Sequence, residues 1–351
     1  MKKIILVIVL LIMFLTSCSP VEEQVVVDNE IVSLSEQYEF VTPYKKQKSY
    51  TYYSISPRLD KYEIDNINLS LMEISKEYFD TKEYYFMEDQ YFSVESQKNL
   101  IDVVNPKVEE RVNNYNIIPE YLIGVQVQNY TMQPNGEDLK GIAVGLVLNK
   151  NQVYTNSSNR TIRTTIDETE LINSMKMRIP TIIESLRSVP EFSEVEIVVG
   201  FYIIDSANSL VPGSYSQYGY VASNSNRIAA LSNYVAYQAL LPSAKAAKFD
   251  EDFNQKFIEF VDSTKSQYQH NVGIIGRMHY NDSRVKKLSI TIKSSNNKKT
   301  FLLSLTQTVY NEILNRFDDG YDVEVVISSY DKVEATIVRE SGSDFVVTTY
   351  E

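Results

Sequence analysis

The chain has 351 residues, of which 43% are hydrophobic and 23% charged, and its formal net charge is −12. This length and apolar content are enough for one large core or two smaller ones. The acidity, with no cluster of Lys and Arg, excludes nucleic acid as a partner because phosphate repels a negative surface. The single cysteine, Cys18, excludes a disulfide within the folded chain.

The first eighteen residues have the pattern of a bacterial lipoprotein leader. Two lysines precede an unbroken apolar run over residues 4–14, which is too short to span a bilayer as a resident helix. The run ends in Leu15-Thr16-Ser17-Cys18, an aliphatic residue, two small residues and a cysteine, which is the pattern that lipoprotein signal peptidase cleaves. An ordinary signal peptide with a chance cysteine is the alternative, but the only cysteine of the chain stands at the cleavage point.

The leader predicts where the mature protein works. Removal of residues 1–17 takes away two lysines and leaves 32 basic and 46 acidic residues, a charge of −14. Acyl chains such as palmitate on Cys18 would hold the protein at the extracellular face of the cell membrane, since each contributes roughly 0.8 kcal/mol per buried methylene. Residues 18–43 are polar and acidic and predict a flexible tether. The folded domain is expected over residues 44–351.

The first half of that domain predicts an alternation of helices and strands. Apolar residues at helical spacing indicate a helix over residues 62–79, and Ser93 is expected to cap a second helix that ends near Val104. Aromatic residues on both sides of residues 88–90 predict a short hairpin there. Strands over residues 121–132 and 141–148 are expected to pair antiparallel across a Pro-Asn-Gly turn.

A helix and a strand complete this half. Asp167 and Glu170 resemble a capping box at the start of a helix over residues 168–188. Pro180 lies inside that helix and should kink it or divide it in two. Residues 194–204 then form an apolar strand, which predicts a position well inside a sheet.

The second half repeats the order strand, helix, strand. A strand over residues 288–292 precedes a helix over residues 301–317, and a strand over residues 323–328 is expected to pair with residues 332–339. A stripe of phenylalanines predicts a further helix over residues 246–268 that packs into the core. The pattern indicates an α+β fold with a mixed sheet and two similar strand-helix-strand halves, with possible limits 44–210 and 211–351.

Tyrosine is the candidate for ligand contact in this chain. It contains 26 Tyr and no Trp, and Tyr215, Tyr218 and Tyr220 lie in a segment rich in Gly, Ser and Asn that shows no helical period. Such a loop would present the rings to a sugar of the cell wall or to a peptide. Coding bias in an A/T-rich genome is the alternative explanation of the tyrosine content.

The sequence offers little for catalysis or metal binding. It lacks the nucleophile, phosphate-binding and dinucleotide-binding motifs that accompany common reactions. His270 and His279, with Asp282 nearby, are a candidate set of metal ligands, but a surface or capping role fits the histidines better. We therefore expect that the protein is not an enzyme and that it binds no cofactor and no metal.

Several segments, in their order along the chain, resemble the CamS family of lipoproteins, the sex-pheromone precursors of low-GC Gram-positive bacteria. The resemblance rests on residues 42–44 (TPY), 71–79 (LMEISKEYF), 139–149 (LKGIAVGLVLN), 211–215 (VPGSY) and 240–253 (LLPSAKAAKFDEDF). It implies that an apolar heptapeptide is released from the end of the leader. The matching positions are Leu11, Ile12, Met13, Phe14, Leu15, Thr16 and Ser17. Leu11 and Thr16 depart from the usual peptide of that family.

Three classes of function follow. The first is a cell-surface lipoprotein of the CamS type whose leader doubles as a peptide signal and whose domain binds a cell-wall or peptide ligand without catalysis. The second is the solute-binding lipoprotein of a transporter, which needs two similar lobes and a cleft. The third is a cell-wall hydrolase, which needs convergent carboxylates in a pocket. In all three, the membrane and the lipoprotein-processing enzymes are the immediate partners.

Overall fold

The computed structural model describes residues 25–27, 30–32, 37–46, 61–204, 211–268, 271–281 and 284–350. The chain divides into two units, residues 1–37 and 38–351. In the first unit, strands β1 (Val25–Val27) and β2 (Glu30–Val32) pair antiparallel, within the predicted tether. The second unit begins earlier than the predicted residue 44, because Tyr38 is buried and its hydroxyl donates to the carbonyl of Phe79 at 2.6 Å.

The second unit is an α+β fold, as predicted. Its strands are β3 (Glu39–Phe40), β4 (Tyr85–Glu88), β5 (Glu110–Val112), β6 (Tyr115–Ile117), β7 (Leu122–Thr131), β8 (Leu139–Asn149), β9 (Asn151–Thr155), β10 (Thr161–Thr165), β11 (Glu196–Ile204), β12 (Ser214–Val221), β13 (Leu231–Asn233), β14 (Ala236–Leu241), β15 (Val272–Asn281), β16 (Arg284–Ser294), β17 (Asp322–Ser329), β18 (Lys332–Arg339) and β19 (Val346–Thr349). Its helices are α1 (Lys61–Ser75), α2 (Val94–Val104), α3 (Glu168–Lys176), α4 (Ile179–Arg187), α5 (Ala244–Phe249), α6 (Glu251–Gln267) and α7 (Lys299–Arg316).

The larger strands lie in two sheets rather than in one mixed sheet. The N-terminal sheet has the order β13-β12-β11-β8-β7-β4-β3, and the C-terminal sheet has the order β14-β15-β16-β17-β18-β19. In each sheet a parallel pair, β8 with β11 or β16 with β17, is flanked by antiparallel neighbours. This arrangement confirms the two similar strand-helix-strand halves.

The predicted boundary between the halves at residues 210 and 211 is wrong as a boundary between sheets. Strands β11 and β12 lie on either side of it and pair antiparallel in one sheet. The chain passes to the C-terminal sheet between β13 and β14, after residue 233. Backbone hydrogen bonds keep β11 and β12 together. Residue composition does not predict this pairing.

The helix predictions are confirmed with adjusted ends. Helix α2 begins after Ser93, whose hydroxyl oxygen accepts a hydrogen bond from the backbone N–H of Ser96 at 3.1 Å. The helix expected over residues 168–188 is divided into α3 and α4, with Pro180 in the first turn of α4. The helix expected over residues 246–268 is likewise divided, because Asp250 ends α5 and caps α6.

The hairpin predicted around residues 88–90 is wrong. Strand β4 pairs antiparallel with β7 instead, and residues 91–92 form no strand. The carboxylate oxygen Oδ1 of Asp89 accepts the backbone N–H groups of Tyr91 and Phe92, which turns the chain toward α2. The antiparallel pairing of β7 with β8 and of β17 with β18 is as predicted.

The two faces of the N-terminal sheet pack against different helices. Helices α2, α3 and α4 bury one face in a large apolar core, and α1 packs on the opposite face through Ile67, Leu71 and Ile74. Helices α6 and α7 pack together on one face of the C-terminal sheet. The phenylalanine stripe of α6 is buried there at Phe253, Phe257 and Phe260, as predicted.

The N-terminal end of α1 connects the two sheets through a polar network. Glu63 Oε1 accepts hydrogen bonds from the Tyr202 hydroxyl at 2.6 Å and from the backbone N–H of Gly213 at 2.8 Å. Asn66 Nδ2 donates to the Tyr202 hydroxyl oxygen at 2.9 Å, and Gln238 Nε2 on β14 donates to Asn66 Oδ1 at 2.8 Å. The candidate site described next lies at the opposite, C-terminal end of α1.

Candidate functional site

The tyrosines predicted to line a ligand loop lie on strand β12, so the loop prediction is corrected. The strand pairs with β11 on one side and β13 on the other. Its Gly and Ser residues resembled loop composition, but cross-strand hydrogen bonds hold the backbone extended. Tyr218 and Tyr220 are two residues apart, so both rings point to the face of the sheet that carries α1.

Tyr215 is a core residue rather than a ligand contact. Its side chain is fully buried, and its hydroxyl donates to the carbonyl of Ile67 at 3.1 Å. The ring occupies the space above Gly145 and Gly200, where an added Cβ would lie 2.3 Å from the Tyr215 hydroxyl oxygen and 2.6 Å from ring carbon Cε1, respectively. Both strands therefore need glycine at these positions for the ring to pack under α1.

Tyr218 and Tyr220 are paired with carboxylates from distant parts of the chain. The Tyr218 hydroxyl lies 2.7 and 2.9 Å from the two carboxylate oxygens of Glu77, just after α1. The Tyr220 hydroxyl donates to Glu196 Oε1 at 2.6 Å, at the start of β11. These short contacts are charge-assisted hydrogen bonds, which are stronger than those between neutral groups.

Two further tyrosines complete this arrangement, which we name the tyrosine–carboxylate cluster: Tyr78, Tyr84, Tyr218, Tyr220, Glu77 and Glu196. The rings of Tyr78 and Tyr220 are stacked, with centroids 5.1 Å apart and an interplanar angle of 6°. The ring of Tyr78 also meets the Tyr218 ring edge to face at 6.4 Å. The rings of Tyr78, Tyr84 and Tyr220 are half-buried, so part of each remains accessible.

The surroundings keep the phenols of the cluster protonated at neutral pH. Burial first, and then the hydrogen bond to Glu77, raises the pKa of Tyr218 to about 12. Burial and the hydrogen bond to Glu196 likewise raise the pKa of Tyr220 to about 12. Burial and the nearby charge of Glu196 raise the pKa of Tyr84. The phenols therefore act as neutral hydrogen-bond partners of ionised carboxylates rather than as bases.

Sequence reasoning found Tyr218 and Tyr220 but missed their partners. Tyr78 lies within the segment over residues 62–79 that was predicted as a helix, and Glu77 and Glu196 are two among the 46 acidic residues of the chain. The spacing Tyr-x-Tyr in an extended segment was the available signal, because it places two rings on one face. The approach of residues 77–84 to β12 depends on tertiary packing.

The other sequence-predicted residues are placed as follows. Leu11 to Ser17 and Cys18 lie outside the described residues, as do His270 and Asp282. His279 is half-buried on β15, and burial with the charges of Lys287 and Arg277 lowers its pKa to about 3. Within the ranges that the structure describes, no group of three His, Cys, Asp or Glu residues is placed to hold a metal ion.

A separate open cavity of about 350 Å³ lies between the start of α3 and β12. It is lined by Glu168, Thr169, Ile172, Asn173, Lys176, Ser216 and Gln217. The hydroxyl of Ser216 donates to Glu168 Oε1 at 2.8 Å, and Gln217 Nε2 donates to Asn233 Oδ1 at 2.8 Å. The side chains of Glu168, Ser216 and Gln217 are thus already engaged in hydrogen bonds within the protein.

The same α+β fold occurs in other solved structures. The sex pheromone precursor of Lactobacillus salivarius subsp. salivarius is similar with a TM-score of 0.78 and 21% identity, over 94% of this chain and 99% of that one. The C-terminal domain of the sex pheromone staph-cAM373 precursor of Staphylococcus aureus is similar with a TM-score of 0.68 and 20% identity, over 84% of this chain and 98% of that one. No curated protein sequence matches the chain.

The family follows from the sequence match over most of the folded unit. The model of the family described as CamS sex pheromone cAM373 precursor matches residues 44–344. The chain therefore belongs to the CamS family, and the resemblance stated from its segments is confirmed. Membership of a pheromone-precursor family points to a secreted or surface protein. No helix in the described ranges is long and apolar enough to cross a membrane.

Proposed function

We propose that this chain is a cell-surface lipoprotein whose leader supplies a peptide signal and whose folded domain is a non-enzymatic binding module. The observation that carries the proposal is the family match over residues 44–344, together with a leader that ends in Leu15-Thr16-Ser17-Cys18. Cys18 is the lipid-bearing residue, and the anchor keeps the acidic domain on the extracellular face of the cell membrane.

The signal is the heptapeptide Leu11–Ser17. Its release requires one cut before Cys18 by the lipoprotein peptidase and a second, intramembrane cut near Leu11. Both cuts are needed because a short apolar peptide leaves the bilayer only when both of its ends are free. The activity of this peptide is therefore independent of the folded domain.

A leader exchange tests the signal. Residues 1–18 fused to an unrelated soluble protein should still release the heptapeptide into the medium, where it is detected by mass. The same folded domain behind a foreign lipoprotein leader should release none. Culture medium without the heptapeptide, from cells that carry the mature protein at the membrane, would remove the signalling part of the proposal.

A cysteine replacement tests the anchor separately. Cys18→Ala should prevent acyl labelling and leave the leader uncut, because the lipoprotein peptidase acts on the lipidated cysteine. Ser19→Ala, next to the cleavage point, is the matched control and should be labelled normally. Acyl labelling of Cys18→Ala would contradict the assignment of Cys18.

The binding role of the domain is supported by the tyrosine–carboxylate cluster. Its rings and carboxylates lie on strands β11 and β12 and in residues 77–84, which follow α1, and hydrogen bonds between them hold the cluster in place before a ligand binds, which favours recognition with little rearrangement. Its phenols stay protonated and so serve as hydrogen-bond donors and acceptors, not as bases. Cell-wall fragments or peptides are the expected ligands.

Incubation of the detergent-solubilised full-length protein with purified cell-wall fragments distinguishes binding from hydrolysis. A binding module retains a fragment fraction that is released unchanged in mass. The appearance of fragments of new mass would instead identify a cell-wall hydrolase and overturn the non-enzymatic proposal. A boiled sample of the same protein is the control for chemical breakdown.

A further inference from the structure

The tyrosine–carboxylate cluster contains two carboxylates and, among its six residues, no basic side chain. In the described part of the chain, Glu77 and Glu196 form hydrogen bonds with phenols but no ion pair with Lys or Arg. The nearby cations are engaged elsewhere, since Lys76 pairs with Glu73 at 2.7 Å and Lys140 pairs with Asp138 at 2.7 Å. Lys140 also lies close enough to Tyr84 to affect the pKa of that phenol. Within the described ranges, the two carboxylates thus lie beside aromatic rings without a direct ion-pair partner.

The rings favour a positive group independently of the carboxylates. The face of a tyrosine ring carries negative potential and attracts a cation within about 6 Å of its centroid, which contributes roughly 0.5 to 2 kcal/mol. Tyr78 and Tyr220 are stacked on each other and half-buried, and the Tyr220 hydroxyl donates to Glu196, so the stacked pair and this carboxylate are adjacent. Ring faces and carboxylates therefore favour the same kind of ligand.

The polar atoms of the cluster distinguish between kinds of cation. A carboxylate only accepts hydrogen bonds, and a phenol oxygen both donates and accepts. In the cluster the hydroxyls of Tyr218 and Tyr220 donate to Glu77 and Glu196, and Tyr218 also forms a hydrogen bond with Ser232. The Tyr220 oxygen and the carboxylate oxygens therefore have lone pairs that can accept a further hydrogen bond. A primary ammonium group brings three N–H donors to such acceptors, whereas a quaternary ammonium group brings none.

We propose that the tyrosine–carboxylate cluster binds a primary ammonium group. This assignment rests on the proposed role of the domain as a binding module and names the chemistry of its ligand. The ammonium nitrogen donates to Glu196 and to the phenol oxygen of Tyr220, and its positive charge lies against the face of the Tyr220 ring that is turned away from Tyr78. A lysine side chain and an amino sugar both carry this group.

Titration calorimetry of four small probes with the full-length protein in detergent tests the assignment. Nα-acetyl-lysine amide and glucosamine carry the ammonium group in its two forms. Their acetylated counterparts, with a neutral amide at the same nitrogen, are the matched controls. We expect one or both charged probes to bind, the neutral ones not to bind, and the affinity to fall as salt screens the charges. The charged probe that binds more tightly identifies the source of the ammonium group.

Single substitutions locate the binding. Glu196→Gln should weaken binding of the charged probe about tenfold or more, because it replaces a charge-assisted hydrogen bond to the ammonium group with a neutral one. Tyr220→Phe should weaken it less, about threefold, since the ring remains and only the hydroxyl is lost. Glu95→Gln, an exposed carboxylate on α2, is the control and should leave the affinity unchanged.

Equal binding of charged and neutral probes would overturn the proposal, and so would affinity unaffected by Glu196→Gln or no binding of any probe at millimolar concentration. Binding of N-acetylglucosamine alone would identify a neutral sugar site instead. The binding role of the domain is tested apart from this. If wild-type protein and Glu196→Gln retain cell-wall fragments equally, the domain binds them elsewhere and only the ammonium assignment fails.

Discussion

The two sheets share their central strand order but differ in what lies on their second face. In the N-terminal sheet, α1 packs on the face opposite α2, α3 and α4, and all ten residues of β7 are buried. In the C-terminal sheet, α6 and α7 pack on one face, and β16 alternates between buried and accessible residues. A single added helix therefore changes the strand pattern from continuous to alternating burial.

The outer face of the C-terminal sheet is the one opposite α6 and α7, and a row of side chains crosses it: Ile275, Thr291, Val326, Thr336 and Thr348. Ile275 is 44% exposed there. On the corresponding α1-bearing face of the N-terminal sheet, Ala143, Val147 and Val198 are fully buried. The same strand order thus leaves Thr side chains accessible on one sheet, whereas on the other it buries mainly apolar residues, with Gln128 hydrogen-bonded to the Asn68 carbonyl of α1.

The largest expected difference comes from placing a charge on these two faces. Val147→Asp should destabilise the protein by roughly 4 kcal/mol or more, because it leaves an unpaired charge under α1. Ile275→Asp, the matched substitution on the outer face, should cost less than about 1 kcal/mol. Urea unfolding followed by circular dichroism measures both. Similar losses at the two sites would contradict the difference in burial.

Tyr215 tests how firmly α1 is held on the N-terminal sheet. Tyr215→Ala should cost about 3 to 5 kcal/mol, since it empties the space above Gly145 and Gly200. Tyr215→Phe keeps the ring and loses only the hydrogen bond to the carbonyl of Ile67, so it should cost about 1 kcal/mol. An alanine variant as stable as the phenylalanine variant would mean that the ring does not fill this core.

Helix α7 provides the equivalent test in the C-terminal sheet. Leu305→Ala should cost about 2 to 5 kcal/mol, because Leu305 is fully buried against that sheet. Leu303, on the same helix, is 41% exposed, so Leu303→Ala should change stability by less than about 0.5 kcal/mol. If the two substitutions cost the same, the assignment of the buried face of α7 is wrong.

A buried carboxylate in the N-terminal half gives the smallest of the expected effects and the only stabilising one. Asp89 is fully buried, and burial raises its pKa to about 6. In the C-terminal sheet the buried Glu324 instead lies 3.0 Å from the ammonium nitrogen of Lys287. The folded state binds the proton of Asp89 more tightly than the unfolded state, so this residue lowers stability as pH rises from about 4 to 6.

Asp89→Asn should therefore stabilise the protein at pH 7.5 by up to about 3 kcal/mol and should have little effect at pH 4. The amide oxygen can still accept from the backbone N–H groups of Tyr91 and Phe92. Thermal unfolding of both proteins at the two pH values measures the difference. A variant less stable than the wild type at pH 7.5 would show that the ionised carboxylate has a partner worth more than its burial costs.

Patterns local in the sequence predicted many of the elements correctly. The capping residues Ser93 and Asp167, the proline at position 180 and the apolar period of α7 act within one or two turns of helix, so neighbouring residues were sufficient. The family was also recognisable from the order of short segments along the chain. The leader and Cys18 rest on sequence alone and stay predictions.

Predictions were wrong where a residue type that favours one local structure is held in another by tertiary packing. The Gly, Ser and Asn content of the segment around Tyr215, Tyr218 and Tyr220 predicted a loop, yet this segment is strand β12 because it pairs with β11 and β13.

The sequence by itself determined the family, the presence of most helices and the α+β class, because caps, prolines and apolar periods act over a few residues. Only the tertiary structure decided that Tyr215 is core, whereas Tyr218 and Tyr220 join Glu77 and Glu196. These partners are far apart in the chain, and they meet because α1 packs on β11 and β12. Contacts over such separations depend on the packing of whole elements, which local residue patterns do not encode.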